Sequence, residues 1–463
     1  MLKKVLIANR GEIALRILRA CRELDIDTVA VYSQADAEAL HVQLAGQAVC
    51  IGPARPSESY LNQDAILTVA RATGCDGLHP GYGFLSENAA FADACTQAGI
   101  TFIGPSGDTI RRAGSKSAAR ELMRDAGVPV TPGSDGPVSS VEEALAAAER
   151  VGYPVLLKAS AGGGGRGIRR CDAPEQLPPA WEQAGAEAVA CFGDGELYLE
   201  KLVLQPRHIE FQILADRQGN VVHLGERDCS IQRRNQKLIE ESPARCLSPR
   251  LREEMGAAAV RAARAVGYEG AGTVEFLLDG AGEHFYFMEM NTRIQVEHGV
   301  TELVTGVDLV REQLRIASGL PLSVTQEDIC LTGHAIECRI NAEDPQNSFR
   351  PAPGKVEFLH FPGGPGVLVD SCLYNGCDLS PYYDSMVAKL LVHAPTRLEA
   401  IRRMRRVLEE FTLEGFPTNA ELSYQILYHP SFIRGTCTTA FLEEHLPRLL
   451  DFNRRLNETE AEA

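Results

Sequence analysis

Residues 289–297 (EMNTRIQVE) alternate polar and apolar side chains, and the polar ones are types that do chemistry together. In an extended backbone every second residue points to the same face. One face would then carry two carboxylates, two amides and a guanidinium: Glu289, Asn291, Arg293, Gln295 and Glu297. Such a set can hold a cation, bind a small anion and remove a proton within one short segment. The alternative is an ordinary solvated strand edge.

A predicted hairpin places a second carboxylate beside this segment. Residues 272–278 and 283–291 have strand composition and flank Asp279-Gly-Ala-Gly, which is typical of a hairpin loop. If the hairpin closes symmetrically about residue 282, Glu275 lies opposite Glu289, and carboxylates about 5 Å apart repel each other. A divalent cation such as Mg²⁺, carried in on a nucleotide, removes this repulsion, and Asn291 adds a neutral oxygen. The alternative is a register shifted by one residue and two solvated glutamates.

A glycine loop follows a predicted strand that ends near Lys158. Residues 161–167 (AGGGGRG) contain Gly162, Gly163, Gly164 and Gly165, whose N–H groups could fold over phosphates. The loop is not of the Walker A type, because no Gly-Lys-Ser/Thr follows. Flexible linkers have a similar composition, so the loop alone leaves both interpretations open.

Two further segments carry concentrated charge. Residues 232–237 (QRRNQK) form a polar strip after Glu226-Arg-Asp228, and Arg339 lies in the strand-like run of residues 334–341. The strip has the composition of a solvated loop, and a lone arginine in a strand is most often part of a structural ion pair. Both interpretations stay open on these residues alone.

The elements that must position these groups fall into distinct stretches. The first 110 or so residues alternate strand and helix patterns, which predicts a doubly wound α/β domain with a parallel sheet. Its first turn, residues 9–12, lacks a G-x-G-x-x-G sequence, so NAD binding is discounted. The strands and helices predicted there span residues 4–9, 12–24, 28–32, 63–72, 77–79, 89–98 and 100–103.

The rest of the chain has a different organisation. A helix over 117–125 and a Pro-rich turn lead into a small α+β unit of roughly 70 residues, followed by a strand-rich core with flanking helices. Residues 457–463 are predicted to be a frayed acidic tail. The elements predicted in this part span residues 153–160, 168–171, 179–190, 196–203, 208–216, 221–227, 250–266, 309–317, 398–410 and 419–427.

Composition limits the class of protein. The formal net charge of −16 argues against nucleic acid or an anionic membrane surface as the main partner. The 13 cysteines contain no Cys-x-x-Cys pair, so neither a disulfide framework nor a zinc knuckle is indicated. There is no signal peptide, and no apolar run reaches the roughly 18 residues of a membrane span. We therefore expect a soluble, cytoplasmic protein.

Five motifs together resemble the biotin carboxylase family of ATP-grasp enzymes, and the likeness runs from about residue 2 to residue 445. The motifs are Ala8-Asn-Arg-Gly-Glu-Ile13, residues 79–88 (HPGYGFLSEN), 158–167 (KASAGGGGRG), 289–298 (EMNTRIQVEH) and 333–343 (GHAIECRINAE). The resemblance implies a doubly wound N-terminal domain over 1–113, an ATP-grasp lid with a mobile glycine loop over 131–203, and a C-terminal ATP-grasp and α+β domain over 204–447. Residues 448–463 would be the acidic tail.

The resemblance also implies an activity. The family uses bicarbonate and MgATP to make carboxyphosphate and then carboxylates N1′ of a biotin carried on another protein. By matching position, ATP would be bound by Lys116, Lys158, Gly162, Gly163, Gly164, Gly165, Glu200, Lys201, Val203, His208, Gln232, Asn235 and Leu277. One or two Mg²⁺ or Mn²⁺ ions would be held by Glu275, Glu289 and Asn291.

The remaining implied roles concern the other two substrates. Bicarbonate would be bound by Lys237, Arg293, Gln295 and the backbone of Val296, with Glu297 as the general base. Arg339 would stabilise the enolate-like oxygen of biotin. Tyr82 and Arg16 match positions that line the biotin or subunit surface. The chain departs from the family pattern at Asn235, where histidine is common, at Gly299, where proline is usual, and at Arg245-Cys246.

The implied partners are a separate biotin carrier protein, carboxyltransferase subunits and a second copy of the chain. No lysine between two methionines is present, so this chain carries no biotin attachment pattern. The first half-reaction of acetyl-CoA carboxylase is the predicted role, with pyruvate, propionyl-CoA or another acyl-CoA carboxylase as alternatives. Another ATP-grasp ligase, of the carboxyaminoimidazole or carbamoyl-phosphate type, and a catalytically silent scaffold subunit are the rival classes.

Overall fold

The structure is a computed structural model that describes residues 1–134, 136–159 and 167–461, without the side chains of residues 116, 117, 192 and 452–461. Its first domain is a parallel sheet in the order β3-β2-β1-β4-β5, as predicted. Buried aliphatic residues fill both faces of the central strands, as parallel sheets require. The elements are β1 (Lys4–Ile7), α1 (Gly11–Glu23), β2 (Asp27–Ser33), α2 (Leu40–Leu44), β3 (Gln47–Gly52), α3 (Gln63–Ala72), β4 (Gly77–His79), α4 (Ala89–Gln97), β5 (Thr101–Phe102) and α5 (Gly107–Gly114).

A small three-stranded unit follows the helix α6 (Lys116–Asp125). Its sheet has the order β7-β6-β8 and packs against two helices around its own buried core, which contains Val155, Leu157 and Leu199. The glycine loop joins two of its antiparallel strands, and Gly162, Gly163, Gly164 and Gly165 lie outside the described residues. The elements are α7 (Val141–Val151), β6 (Val155–Ala159), β7 (Ile168–Cys171), α8 (Leu177–Phe192) and β8 (Leu197–Lys201).

The rest of the chain is organised by one large antiparallel sheet in the order β13-β12-β9-β10-β11-β14-β19-β18. Its first strands and helices are β9 (Arg207–Ala215), β10 (Val221–Arg233), β11 (Gln236–Ser242), α9 (Pro249–Val266), β12 (Gly270–Leu278), β13 (Phe285–Asn291), α10 (His298–Thr305) and α11 (Leu309–Ala317). The chain continues through β14 (His334–Asn341), β15 (Glu343–Asp344), β16 (Arg350–Pro351), β17 (Phe358–His360), β18 (Val367–Ser371), β19 (Met386–Ala394), α12 (Arg397–Glu410), β20 (Thr412–Glu414), α13 (Ala420–Tyr428), α14 (Pro430–Arg434) and α15 (Phe441–Ala461).

Both faces of the large sheet are covered. On one face α9 packs on β9 and β12, and α12 packs on β14 and β19. On the other face α10 lies over β11, β14 and β19, while α1 and α11 cover residues such as Leu214. Polar side chains buried between this second face and α10 are enclosed by protein rather than water.

Three predicted elements differ from the structure. The strand ends at Asn291, so residues 292–297 form an irregular segment before α10 and not a continuous strand. Helix α15 extends to Ala461 through the predicted frayed tail, because residues 448–461 contain helix-forming Leu, Arg and Glu and no Gly or Pro. Finally, the polar strip at 232–237, left open by the sequence, is a tight hairpin turn with an exposed tip, in which Arg234 and Asn235 have positive φ and Gln232 pairs with Lys237. No helix among the described residues is long and apolar enough to cross a membrane.

Candidate active site

A cavity of about 960 Å³ opens between the N-terminal domain, the three-stranded unit and the large sheet. Most of the side chains singled out from the sequence lie on its wall, although the chain separates them by more than 250 residues. They are Tyr82, Lys158, His208, Gln232, Asn235, Lys237, Glu275, Leu277, Glu289, Asn291, Arg293, Gln295, Val296 and Arg339. The described residues thus place the candidate nucleotide, metal, bicarbonate and biotin groups around one space.

The hairpin of β12 and β13 has the predicted register, with Glu275 directly opposite Glu289. A β-bulge at Met288 shifts the pairing by one residue on the side toward the hairpin loop. The predicted pairing about residue 282 therefore holds only away from the loop, from Glu275 back to Thr273. Glu275 is buried, whereas Glu289 is exposed toward the cavity. The amide nitrogen of Asn291 donates a hydrogen bond of 2.9 Å to Glu275.

Two groups on β9 complete this carboxylate cluster. Glu210 lies opposite Glu275 across β9 and β12, and His208 Nε2 is 3.1 Å from Glu275 Oε2. One ligand atom from each of these three buried residues lies within 4.8 Å of the others. Two buried carboxylates, with Glu289 on the next strand, form a hard-oxygen donor set that fits Mg²⁺ or Mn²⁺.

Electrostatics in the cluster follow from burial and opposite charges. Burial opposes ionisation of Glu275, but Lys237 and His208 outweigh it and hold the pKa of its carboxyl well below the ordinary value. Burial likewise opposes the charged form of His208, and the nearby Glu275 carboxylate outweighs it and raises its pKa. The cluster is therefore an anionic pocket stabilised by its own cations.

Lys237 is the cation at its centre. Its Nζ donates to Glu210 at 2.6 Å, Glu275 at 3.0 Å and Glu297 at 2.6 Å. It reaches them because a bulge at Leu238 in β11 alters the alternation of side chains along the strand. Burial alone would lower the pKa of Lys237, but the three carboxylates raise it well above its ordinary value.

Glu297, the candidate base, is fully buried at the start of α10. One carboxylate oxygen accepts from Lys237, and the other accepts from Arg339 at 2.7 Å. Burial would raise the pKa of Glu297, but Lys237, Arg339 and the buried Arg227 hold it well below its ordinary value. The ammonium of Lys389 donates to the carbonyl oxygen of Val296 at 2.9 Å and anchors the irregular segment just before the base.

Arg293 and Gln295 form the side of the site nearest the N-terminal domain. Glu87, in the loop before α4, accepts from Arg293 Nε at 2.9 Å and also contacts Thr292. The remaining nitrogens of Arg293 donate to Gln295 at 3.0 Å and Asn291 at 3.3 Å. A planar guanidinium held at its Nε side in this way is suited to binding a small anion.

The groups assigned to biotin lie on the opposite wall. Arg339, on β14, bridges Glu297 and Glu240, with Nε 2.7 Å from Glu240 Oε1. The Tyr82 hydroxyl donates a hydrogen bond to the buried carboxylate of Glu12, and both residues line the cavity. Arg16 does not line the cavity; it pairs with Glu302 at 2.9 Å and Asp308 at 2.7 Å.

The nucleotide side is described in part. Lys158 forms an ion pair with Glu200, which also pairs with Arg120. The ammonium of Lys201 donates to the carbonyl oxygens of Gly152 and Tyr153. The side chains of Lys201 and Val203 do not line the cavity. The side chain of Lys116 lies outside the described part of the chain, as do the four glycines.

Sequence reasoning missed several partners of these groups. Glu87, Glu210, Glu240 and Lys389 each contact a candidate site residue. Glu87 lay inside a motif already recognised, and Glu210 follows His208 at strand spacing, so each carried a weak signal. Lys389 and Glu240 carried none, because their roles depend on strands that pair over long sequence distances.

Three family descriptions cover nearly the whole chain. "Biotin carboxylase, N-terminal domain" matches residues 1–110, "Carbamoyl-phosphate synthase L chain, ATP binding domain" matches residues 115–325, and "Biotin carboxylase C-terminal domain" matches residues 337–444. Their order is that of the N-terminal domain, the ATP-grasp region and the C-terminal region seen in the structure.

Individual relatives are similar over their full length. Biotin carboxylase 1 of Bacillus subtilis is 56% identical over 96% of this chain and 99% of its own. The 2-oxoglutarate carboxylase small subunit of Hydrogenobacter thermophilus is 52% identical over 98% of this chain and 95% of its own. The solved biotin carboxylase domain dimer of that 2-oxoglutarate carboxylase, in complex with MgADP, ADP and bicarbonate, superposes with a TM-score of 0.91 at 52% identity, covering 97% of this chain and 98% of that one.

Proposed function

The chain belongs to the biotin carboxylase family and catalyses ATP-dependent carboxylation of biotin, and we propose that the residues around the large cavity divide this reaction into three sets. The reaction uses bicarbonate, ATP and a divalent cation, and it proceeds through carboxyphosphate to N1′-carboxybiotin, ADP and phosphate. The three sets serve the nucleotide and its metal, bicarbonate, and biotin.

The first set is assigned to MgATP. Lys158, His208, Gln232, Asn235 and Leu277 line the cavity around the space for the nucleotide, with Lys116, Gly162, Gly163, Gly164, Gly165, Glu200, Lys201 and Val203 assigned by the family pattern. Glu275, Glu289 and Asn291 would hold the cation, which when bound neutralises charge on the phosphates. What supports this assignment is the group of oxygen donors at the hairpin, where buried Glu275 lies opposite Glu289 and accepts from Asn291.

The second set is assigned to bicarbonate. Arg293, Gln295, Lys237 and the Val296 backbone would bind the anion beside Glu297, which removes its proton. Bicarbonate that accepts from Lys237 or Arg339 would draw that cation away from Glu297, whose two oxygens each accept from one of them. The exchange leaves Glu297 less stabilised as an anion, and it therefore becomes a stronger base when its substrate is bound.

The third set is assigned to biotin. Arg339 would stabilise negative charge on the ureido oxygen as N1′ loses its proton and attacks the carboxyl carbon. Tyr82 lies on the same wall. The observation that carries the whole proposal is that Glu297 sits between Lys237 and Arg339, with the metal candidates on one side and the biotin candidates on the other.

The decisive test is the dependence of ATP hydrolysis on the other two substrates. We expect ADP release to require bicarbonate and to rise on addition of free biotin, with transfer of labelled bicarbonate carbon to biotin. A rival ATP-grasp ligase would release ADP without regard to biotin, and a silent scaffold subunit would bind nucleotide without turnover. Either result would contradict the proposal.

We further propose that the biotin comes on a separate carrier protein, that carboxyltransferase subunits use the product, and that the chain forms a homodimer. The acceptor we propose is acetyl-CoA, in the first step of fatty acid synthesis, in a cytoplasmic enzyme. Relatives at similar identity include a 2-oxoglutarate carboxylase subunit, so the acceptor depends on the partner subunit. Co-purification from the native cell, with identification of the biotinylated and acyl-CoA-binding partners, tests these points.

A further inference from the structure

Arg339 is held by two carboxylates rather than one. Its Nη2 donates to Glu297 Oε2 at 2.7 Å, and its Nε lies 2.7 Å from Glu240 Oε1. Glu240 is fully buried on β11, and Glu297 is fully buried at the start of α10. The guanidinium therefore lies between two carboxylates: Glu297, the candidate base, and Glu240, which has no assigned role in the reaction.

Glu240 has a second unusual neighbour. Glu337, on β14, lies directly across from it in the antiparallel pairing of β11 with β14, and is also fully buried. Among the described residues, none of the four oxygens of this pair has a well-directed hydrogen-bond partner. Two ionised carboxylates side by side away from water repel strongly, so the pair is stable only if it retains a proton.

The charges around the pair indicate which member is ionised. Glu240 faces Arg339 at ion-pair distance, whereas Glu337 has no ion pair among the described residues and is affected by Lys389 and Arg339 only at longer range. The ammonium of Lys389 already contacts Glu12, Asp370 and the Val296 carbonyl. Burial raises the pKa of Glu240 to about 7, although Arg339 acts in the opposite direction. Burial also raises the pKa of Glu337, well above its ordinary value. The ion pair with Arg339 favours the ionised form of Glu240, so we assign the shared proton to Glu337.

We propose that Glu240 is a positioning residue for Arg339: it holds the Nε side of the guanidinium, with protonated Glu337 as its neutral neighbour, so that Arg339 is shared between two carboxylates. This inference rests on the assignment of Arg339 to biotin. Without Glu240, the guanidinium would be drawn wholly onto Glu297. It would then lie farther from the biotin oxygen and would stabilise the anionic base, which makes Glu297 a weaker proton acceptor.

The test is the neutral, isosteric substitution Glu240→Gln in the full-length protein. We expect KM for free biotin to rise by a factor of roughly ten, the scale of one lost contact to a charged group, and kcat to fall, while KM for ATP stays unchanged. Glu240→Asp keeps the charge and should recover part of the loss. Glu337→Gln is the matched control, because a neutral amide replaces a side chain that is already neutral, and its biotin kinetics should stay near those of the unsubstituted protein.

A double-mutant cycle with Arg339→Met separates positioning from a general structural effect. If Glu240 acts through Arg339, Glu240→Gln should add no further increase in biotin KM in the Arg339→Met background. Three results would each overturn the inference. The first is an additive increase in biotin KM in the double mutant. The second is an equal increase in KM for ATP and for biotin together with a lower Tm, and the third is an unchanged biotin KM in Glu240→Gln. If Arg339→Met itself leaves biotin KM unchanged, the assignment of Arg339 to biotin is wrong, which is a distinguishable outcome.

Discussion

Glu297 must accept a proton, yet it is fully buried and both of its oxygens face a cation. Because Lys237 and Arg339 hold its pKa well below the ordinary value, the carboxylate is ionised before substrate arrives. An ionised base is ready to act, but a strongly stabilised one is weak. A substrate anion that takes over one of the cations would resolve this conflict.

Replacing the base is therefore expected to slow the reaction strongly. We predict that Glu297→Gln lowers kcat for bicarbonate-dependent ADP release by roughly a hundredfold or more, the usual scale of general base catalysis. Steady-state assays with saturating ATP measure this. Glu254→Gln, at an exposed ion pair on α9, is the control and should behave like the unsubstituted protein. Full activity in Glu297→Gln would remove the base from the mechanism.

Glu275 gives a second prediction at the scale of single residues. Glu275→Gln removes one anionic oxygen donor from the cluster, so we expect the Mg²⁺ concentration for half-maximal activity to rise on the order of tenfold. Mn²⁺ binding in the presence of ADP, followed by electron paramagnetic resonance, gives a readout that does not depend on turnover. Glu269→Gln, at a surface pair with Arg217, serves as the control. An unchanged metal requirement would show that Glu275 is no ligand.

At the scale of elements, the site depends on where strands depart from regular alternation. The bulge at Leu238 brings Lys237 onto the face that carries Glu240, and the bulge at Met288 sets the register of Glu275 and Glu289. The turn between β10 and β11 requires positive φ at Asn235, a conformation that asparagine adopts more readily than most residues. The departure from the family's common histidine thus fits the local backbone.

On the opposite face of β11, an ion pair connects the strand to α12. Glu241 accepts from Arg397 at 2.6 and 3.0 Å and from His334 at 2.8 Å. Burial opposes its ionisation, but His334 and Arg397 lower the pKa of Glu241 to about 2, from an ordinary 4.5. Its contribution to stability is therefore present above the ordinary pKa and is lost as pH falls through the folded-state value.

We predict that Arg397→Met lowers the free energy of unfolding on the order of 3 kcal/mol near neutral pH, since it leaves a buried carboxylate without its main partner. Removing Arg397 raises the folded-state pKa of Glu241, so the difference from the unsubstituted protein should shrink as the pH is lowered to about 3. Urea unfolding at several pH values tests both points. Arg406→Met, an exposed pair on the same helix, should have little effect. A difference independent of pH would exclude Glu241 as the cause.

At the scale of the whole molecule, the cavity exists only where three regions meet. Arg10 and Tyr82 come from the N-terminal domain, Lys158 from the three-stranded unit, and most of the remaining wall from the large sheet and the loops beside it. Glu87 links the first of these to the last, because it holds Arg293 and Thr292 from a loop in another domain. Domain arrangement therefore sets the orientation of a candidate anion-binding group.

This contact predicts a selective defect. Glu87→Gln should raise KM for bicarbonate by roughly tenfold, the scale of one charge-assisted hydrogen bond, and leave KM for ATP unchanged. Glu87 is 42% exposed, so the fold should tolerate the change. Bicarbonate titrations in carbonate-depleted buffer measure the effect, and Asp93→Asn, at a surface pair of the same domain, is the control. Equal changes in both KM values would argue for a general loosening instead.

Much of this protein was determined by local sequence. The parallel first domain and the position of Glu275 opposite Glu289 are predicted by the periodicity of short segments, which acts over a few residues. The resemblance extended those patterns to an enzyme family, which the relatives confirm.

Tertiary structure decided the environment of each group. The strand predicted over residues 289–297 ends at Asn291, because Glu297 is carried over the sheet to meet Arg339 and Lys237. Three contacts join residues that are far apart in the chain: Glu240 with Arg339, Glu87 with Arg293, and Lys389 with the carbonyl of Val296. Burial and charge pairing of this kind are properties of the packed sheet and its helices, so the sequence carried at most a weak signal of them.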